Sequence, residues 1–337
     1  MNKLIKPLIV LIILLAVWLM VKYTGRDFSR PDPEKTLAVQ LDETLIRRIE
    51  INRGEEGVSL LHSATGDWQV KTEQGIKPAE AEAVASALAN LNGISTSDIV
   101  SHNPERQAEY RVDDANGTKL RVYGEGDALL VGLVIGKLGG FESQAMAVQQ
   151  GRIDESRFFT YMRRGDSDRV YKVKGFFAGI LGVDAEQWRD HVLMKFEPSE
   201  VQQISLAYPD EKIVLEKDIN GSWAMTQPQA SSVDSTVVER MAASLSTMRA
   251  SSFVDSLLPA ETLGFDQPTV LVGVKLANGS EQKVSVGSEL EDNLYYCVKE
   301  HDEQVYTLAR FRLDQFMKRS PELVKEDLEE AEKEGEE

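Results

Sequence analysis

Apolar positions follow the same pattern twice along this chain of 337 residues. In the first half they alternate with polar positions through short β-type runs, and the same spacing returns 155 residues later. Self-similarity at a fixed offset indicates a duplicated structural unit. The matched positions are Ile46, Ile49, Val58, Leu60 and Trp68 in the first copy and Val201, Ile204, Ile213, Leu215 and Trp223 in the second.

Each copy begins with a predicted meander of short strands. The turn before Trp68 contains Gly66, and the turn before Trp223 contains Gly221. Glycine supplies the positive φ that tight hairpin turns need. A helix follows in each copy, because apolar residues recur three or four positions apart over 81–91 and 233–248. The pattern predicts an α+β fold in which each of two tandem homologous units is a mainly antiparallel sheet with a packed amphipathic helix.

The second part of each copy matches less evenly. Asn116-Gly117 and Asn278-Gly279 are predicted to be equivalent hairpin turns, at an offset of 162. The Val-Tyr pairs at 170–171 and 305–306 are predicted to be equivalent strand residues, at an offset of 135. The first copy then has a surplus of 27 residues around 123–157. Loops carry function more often than scaffolds do, so this insert is a candidate for a copy-specific task. The alternative is two extra strands at the sheet edge, which the alternation in 131–135 favours.

The N-terminus carries an apolar run from Pro7 to Val21, preceded by Lys3 and Lys6. A run of this kind is long enough for a single transmembrane helix, and no small-residue cleavage site follows it. A buried core helix is the alternative interpretation. We expect a bacterial inner-membrane protein with a cytoplasmic N-terminus and a periplasmic body. The predicted segments are an anchor at 1–24, a linker at 25–44, the two repeat units at 45–196 and 197–320, and an acidic tail at 321–337.

The charge of the chain limits the classes of partner that it can bind. The formal net charge is −17, and the tail alone holds nine acids against two lysines. Phosphate recognition needs a concentrated basic face, so nucleic acid is excluded as a partner. The tail is either a solvated, partly ordered helix or an acidic contact for a basic partner. The single cysteine, Cys297, allows no intramolecular disulfide and is expected to be buried in a strand.

No motif in the chain assigns a reaction. The four histidines have no metal-ligand spacing, and the Asp114-to-Gly117 stretch lacks the first and last ligands of a calcium loop. The glycine-rich strings around 124–126 and 136–140 have neither a Walker lysine nor a dinucleotide fingerprint. We therefore predict no catalytic residue, no metal ligand and no cofactor, and we retain Trp68, Trp223 and the glycine turns as structural markers of the repeat.

The anchor followed by two copies of strand, hairpin, tryptophan and striped helix resembles the bacterial domain-of-unknown-function 4340 family (DUF4340). The residues that carry the resemblance are Gly66-Asp67-Trp68-Gln69-Val70 and Gly221-Ser222-Trp223-Ala224-Met225. The resemblance implies an envelope protein encoded beside gliding-type ABC transporter components, with a permease and related envelope subunits as partners. It predicts a non-catalytic accessory subunit that binds substrate or scaffolds the complex. A free-standing envelope scaffold or cell-wall-binding protein and, third, an envelope hydrolase with dispersed carboxylates are the competing hypotheses.

Overall fold

The computed structural model describes residues 36–96, 98–140 and 157–325. The predicted anchor and most of the acidic tail lie outside these residues. Within the described ranges, no helix is both long and apolar enough to cross a membrane. The chain divides into two compact units. The first comprises Met1–Thr72 and Ala81–Gln187, and the second comprises Glu73–Glu80 and Trp188–Glu337.

The first half of the chain forms a nine-stranded sheet with the order β5-β4-β3-β2-β8-β9-β10-β11-β7, and β1 pairs separately with β6. The strands are β1 Leu37–Ala38, β2 Arg48–Arg53, β3 Glu56–His62, β4 Trp68–Thr72, β5 Gly75–Pro78, β6 Ser95–Thr96, β7 Ile99–Ser101, β8 Thr118–Tyr123, β9 Leu129–Gly139, β10 Phe159–Arg164 and β11 Val170–Lys174. The helices are α1 Ala81–Asn92 and α2 Phe177–Ile180, with 3-10 turns at Glu43–Leu45, Pro104–Tyr110, Glu125–Asp127 and Ala185–Trp188.

The second half forms another nine-stranded sheet with the order β15-β14-β13-β12-β17-β18-β19-β20-β16. Its strands are β12 Val201–Ala207, β13 Lys212–Lys217, β14 Trp223–Gln227, β15 Ser231–Ser232, β16 Ser252–Val254, β17 Val270–Leu276, β18 Glu281–Glu289, β19 Leu294–Lys299 and β20 Val305–Ala309. The helices are α3 Ser235–Ser246, α4 Ala260–Leu263, α5 Arg310–Leu313 and α6 Ser320–Leu323, with 3-10 turns at Pro198–Glu200 and Glu291–Asn293.

The two large sheets have the same strand order, position by position. In each, the first four strands of the sheet, β2–β5 or β12–β15, form a meander, and a twelve-residue helix precedes the remaining strands. Neighbouring strands pair antiparallel, as β2 does with β3 and β12 with β13. The prediction of two tandem, mainly antiparallel units with one amphipathic helix each is therefore confirmed for the described part of the chain.

The helices form where sequence periodicity and capping agree. In α3, the Asp234 carboxylate accepts a hydrogen bond from the Thr236 amide at 2.9 Å, which satisfies a free donor of the first turn. Met241 and Leu245 lie on its buried face and belong to the same core cluster as Ile204 and Val272 of the sheet. In α1, the buried residues are Val84, Ala87, Leu88 and Leu91. Burial of one apolar face is what makes helices of this length stable.

The surplus of the first copy lies largely within the predicted range but is shorter than expected. The alternating residues at 131–135 belong to β9, which has β18 as its counterpart, so this alternation does not mark an extra strand. The difference lies instead between β9 and β10, where 140–158 spans nineteen residues against four at 290–293 in the second copy, a surplus of fifteen. The middle of that connection, 141–156, lies outside the described residues.

The prediction that the two Asn-Gly turns are structurally equivalent is also wrong. Asn278-Gly279 joins β17 to β18, with Gly279 at φ +84°. Asn116-Gly117 instead precedes β8, where a β-carbon on Gly117 would clash with a Val134 methyl carbon. Gly279 serves a positive-φ turn, whereas Gly117 serves close packing. The register pairs Val122 with Ile49 and Val274 with Ile204, so β8 corresponds to β17 at an offset of 152.

We expect matched core truncations in the two helices to have similar effects. Leu91 and Leu245 are 1% and 0% exposed and occupy the next-to-last position of α1 and α3. Leu91→Ala and Leu245→Ala should each lower the free energy of unfolding by about 2 to 5 kcal/mol, because each leaves a cavity. Urea denaturation of the full chain in mild detergent measures the loss. Glu239→Ala, on the exposed face of α3, is the control, and equal stability of the control and either leucine variant would contradict the assigned packing.

Candidate ligand-binding site in the second unit

The second unit contains a cavity of about 560 Å³ beside the edge strand β16. Four segments distant in sequence form its walls: the residues around Lys77, those around Arg189, the end of β16 with the chain after it, and the β19–β20 turn. The lining combines cations, carboxylates, aromatic rings and leucines. Its residues are Lys77, Pro78, Arg189, Asp190, Phe253, Val254, Asp255, Ser256, Leu257, Leu258, Leu263, Lys299, Asp302, Glu303, Gln304, Val305 and Tyr306.

Arg189 is the most buried charged group of this wall, at 1% exposure. Its Nη1 and Nη2 atoms donate to the two carboxylate oxygens of Asp255 at 2.6 and 2.8 Å. Its guanidinium also lies 3.5 Å from the centroid of the Phe253 ring. Bidentate pairing and stacking on an aromatic face are the two contacts that suit a planar guanidinium. Hydrogen bonding from Arg189 holds the pKa of Asp255 below its usual value, against the opposing effect of burial.

Gln304 connects this ion pair to the backbone of the sheet. Its Oε1 atom accepts hydrogen bonds from Arg189 at 3.1 Å and from the Lys77 ammonium at 3.1 Å. Its Nε2 atom donates to the carbonyl oxygens of Val254 at 3.2 Å and Val305 at 2.9 Å, one on each of the paired strands β16 and β20. The amide therefore fixes where the two cations lie relative to the strands.

A second ion pair also lines the cavity. The Lys299 ammonium lies 3.3 Å from Asp302, and the Tyr306 hydroxyl donates to the same carboxylate at 2.9 Å. Burial acts to raise the pKa of Asp302. Hydrogen bonds from the backbone amide of Gln304 and from the Tyr306 hydroxyl, together with the charge of Lys299, nevertheless hold this pKa below its usual value. Burial and the bond to Asp302 raise the pKa of Tyr306. Asp302 is thus ionised and Tyr306 protonated at neutral pH.

This arrangement suits binding of a ligand with both polar and apolar parts. Three cations, Lys77, Arg189 and Lys299, are paired with two carboxylates, Asp255 and Asp302, and the Phe253 and Tyr306 rings line the same cavity. A pocket of mainly apolar walls with a few oriented polar groups is typical of ligand sites. Within the described residues, no three His, Cys, Asp or Glu side chains are grouped so that they could hold a metal ion.

The first unit has a larger cavity of about 670 Å³ at the ends of the long β9–β10 connection. Its described wall includes Asp98, Arg157 and Lys172, and the Lys172 ammonium lies 4.2 Å from the Phe159 ring centroid. These three charged residues are exposed or half-buried, in contrast to the buried Arg189. We therefore place the candidate site in the second unit, where a buried polar cluster is held in position.

The predicted repeat markers lie outside both cavities and serve the fold. Trp68 begins β4 and stacks on His62 with ring centroids 4.8 Å apart, and Trp223 begins β14 at 5% exposure. Gly66 and Gly221, at φ +94° and +85°, form the turns before them. Asn116-Gly117 and Asn278-Gly279 lie in the loops described above. The residues of the cavity were not predicted from the sequence.

The ion pair at Arg189 makes a testable contribution to stability. Asp255→Asn removes the charge of the carboxylate that pairs in a bidentate manner with the buried Arg189 guanidinium, and it should cost about 3 to 5 kcal/mol of unfolding free energy at neutral pH. Because folding lowers the pKa of Asp255, its contribution is complete above the ordinary value of 3.8 and is lost as the pH falls through the lower folded-state value. The difference between native protein and variant should therefore be constant down to about pH 5 and shrink below about pH 4.

Asp210→Asn is the matched control, because Asp210 pairs with Arg319 at 2.8 Å on the surface, with the two side chains 70% and 45% exposed. It should change stability little, since surface ion pairs contribute little. Urea denaturation at several pH values makes the comparison. A loss for Asp255→Asn no larger than that for Asp210→Asn would contradict the role given to the buried pair.

Comparison with known proteins identifies a family model that matches the chain twice. A family model described as "Domain of unknown function (DUF4340)" matches residues 68–268 and again residues 223–335. The two matches start at Trp68 and Trp223, the equivalent tryptophans of the duplicated unit. No curated protein and no solved structure matches the chain. The matches together span most of the sequence, and the chain belongs to the DUF4340 family.

Proposed function

We propose that this protein is a non-catalytic, membrane-anchored extracytoplasmic accessory subunit of a gliding-type ABC transport system. In this role the N-terminal apolar segment holds the chain in the inner membrane. The two sheet units lie in the periplasm, where they bind the transported substrate or scaffold the complex. The permease and related envelope subunits are its partners. The proposal joins the family resemblance, the apolar segment and the cavity of the second unit.

The observation that carries the binding role is the pairing of charges in the cavity. Arg189 with Asp255 and Lys299 with Asp302 form oriented ion pairs before any ligand is present. Groups held in place lose little conformational entropy on binding, which favours affinity. A substrate-binding or scaffolding subunit needs such a site and no reactive group.

The same cavity bears on the hydrolase hypothesis, since four carboxylates line it and two of them, Asp255 and Asp302, are paired with cations. Glycosidase-type hydrolysis requires one carboxyl group with a raised pKa, so that it is protonated and can act as a general acid. The pKa of each of these carboxyls lies below its usual value. Two ionised, cation-paired carboxylates favour binding over acid catalysis.

Co-purification tests the transporter role. The full chain, tagged at its C-terminus and expressed at its native level, should recover a permease and an ATPase subunit from mild detergent. A tagged single-pass membrane protein of equal abundance is the control. Recovery of neither component above the control would refute the transporter role and leave the free-standing envelope scaffold as the better hypothesis.

Membrane topology is tested separately. We expect alkaline phosphatase fused after Glu337 to be active, because that enzyme folds only outside the cytoplasm, while a fusion of a reporter that fluoresces only in the cytoplasm should be dark. The positive-inside rule together with the short N-terminal flank motivates this orientation. An inactive phosphatase paired with a bright cytoplasmic reporter would contradict the periplasmic location.

A further inference from the structure

The cavity of the first unit has a wall in which cations outnumber carboxylates. Its charged residues are Arg157, Lys172 and Lys174 against the single carboxylate of Asp98. The volume of about 670 Å³ is within the range of small-molecule sites, about 300 to 1,000 Å³. Salt screens charges over about 8 Å at physiological ionic strength. The groups that line the cavity therefore act on a ligand more strongly than the distant charges that make up the net charge of −17.

Strand alternation brings the two lysines to one face of the sheet. Lys172 and Lys174 are two residues apart on β11, so their side chains leave the strand on the same side. Phe159 of β10 is opposite Lys174 in the register and shares that side. The Lys172 ammonium lies 4.2 Å from the centroid of the Phe159 ring. Cationic and aromatic groups are thus adjacent in the cavity wall.

These lysines differ from the cations of the second unit's cavity in having no counter-charge. Among the residues that the structure describes, neither Lys172 nor Lys174 forms an ion pair, not even with Asp98, whereas Arg189 and Lys299 each pair with an aspartate. Lys172 is half-buried and Lys174 is exposed. A half-buried ammonium has lost part of its hydration, and an anion bound beside it compensates for that loss. The wall can accept an anion at these lysines without breaking an ion pair.

The second copy shows that the fold does not require the two lysines. By register, Lys172 and Lys174 correspond to Thr307 and Ala309. The Thr307 hydroxyl instead shares a hydrogen bond with the Ser252 hydroxyl at 2.7 Å. The lysines are therefore specific to the first copy. So is the longer connection between β9 and β10, whose ends at 140 and 157–158 line the same cavity. Connections of this kind carry function more often than the shared scaffold does.

The wall also includes the half-buried rings of Phe158 and Phe159. An inorganic anion would use only the charges of this wall. A ligand that joins an anionic group to an apolar group would use the charges and the rings together, and burial of its apolar surface would add about 25 cal/mol per Å² to the binding free energy. The composition of the wall therefore favours the second kind of ligand.

We infer that this cavity binds an anionic amphiphile, a molecule in which a phosphate or carboxylate group is attached to an apolar group. The anion lies beside the ammonium groups of Lys172 and Lys174, and the apolar group packs on Phe159. Such a molecule is either free in solution or an anionic lipid of the bilayer. The site shares no residue with the cavity of the second unit, and the inference does not depend on the transporter role.

Isothermal titration calorimetry with phenyl phosphate tests this site, using the full chain in nanodiscs of neutral phosphatidylcholine. We expect binding that weakens roughly tenfold or more in Lys172→Thr/Lys174→Ala, which carries the residues of the second copy and loses two charged contacts. Lys212→Thr/Lys275→Ala removes two exposed lysines of the second unit and changes the net charge equally, and it should leave the affinity unchanged. Asp98→Asn should tighten binding, because it removes the carboxylate of the wall.

Two further probes test the two parts of the ligand. Inorganic phosphate and benzyl alcohol should each bind roughly tenfold or more weakly than phenyl phosphate, because each lacks one of its two groups. Native mass spectrometry of the chain released from phosphatidylglycerol nanodiscs identifies the source of the amphiphile. A lipid retained by the native chain and lost in the double lysine variant indicates the bilayer, and equal retention indicates a free molecule.

The inference is overturned if phenyl phosphate does not bind, if it binds the native chain and the double lysine variant equally, or if either partial probe binds as tightly. The thermal unfolding midpoint checks that each variant is folded, and Asp98→Asn provides the test if the double lysine variant is not. If phenyl phosphate binds as expected but no permease co-purifies, the site stands and the transporter role fails.

Discussion

The register of the two antiparallel sheets is the constraint on which the rest of the structure depends. In the first sheet Ile49 and Ile51 are opposite Val122 and Leu120, and all four are buried. Side chains alternate between faces with a period of two, so a slip of one residue would turn this entire set toward solvent. In the second sheet, α3 residues such as Met241 and Leu245 share one core cluster with Ile204 and Val272 of the strands.

The edges are where the two copies differ. Both sheets end in a short strand, β7 in one and β16 in the other. Beside β16 the chain adds Arg189 and Gln304, which join the strand to buried charge pairs and enclose a cavity. In the middle of the first sheet, the β8–β9 hairpin has Leu129 where the β17–β18 hairpin of the second sheet has Glu281. Duplication thus supplied two scaffolds of the same strand order, and substitutions outside the core gave the second a candidate ligand site.

Sequence patterns predicted the parts of the fold that local interactions determine. A few neighbouring residues are enough to predict the hairpin glycines, the tryptophans after them and the apolar face of each helix. The structure contains these features in both copies. The prediction failed where one residue type serves two purposes. Gly279 adopts a positive φ in a hairpin, while Gly117 allows Val134 to approach, and an Asn-Gly dipeptide does not distinguish these causes. The predicted length of the insert was wrong for the same reason, because its bounds assumed that the two Asn-Gly turns are equivalent.

The candidate site had no local signal. Arg189, Asp255 and Gln304 are separated by 66 and 49 positions in sequence, and no motif spacing joins them. Only the sheet order brings the end of β16 beside the start of β20. One clue was present: Arg189 directly follows the apolar Trp188, and an arginine drawn into the interior with it requires a buried counter-charge. Identifying Asp255 as that partner needs the three-dimensional pairing.

Hydrogen–deuterium exchange of the full chain tests most directly the claim that the buried ion-pair network preorganises the second unit's edge. The amides of 251–255 around β16 and of 98–102 around β7 are equivalent edge segments in a single sample, and only the former are joined to such a network. Local opening governs their exchange, so the account predicts slower exchange at β16 than at β7 by roughly tenfold or more. Equal rates, or faster exchange at β16, would contradict it.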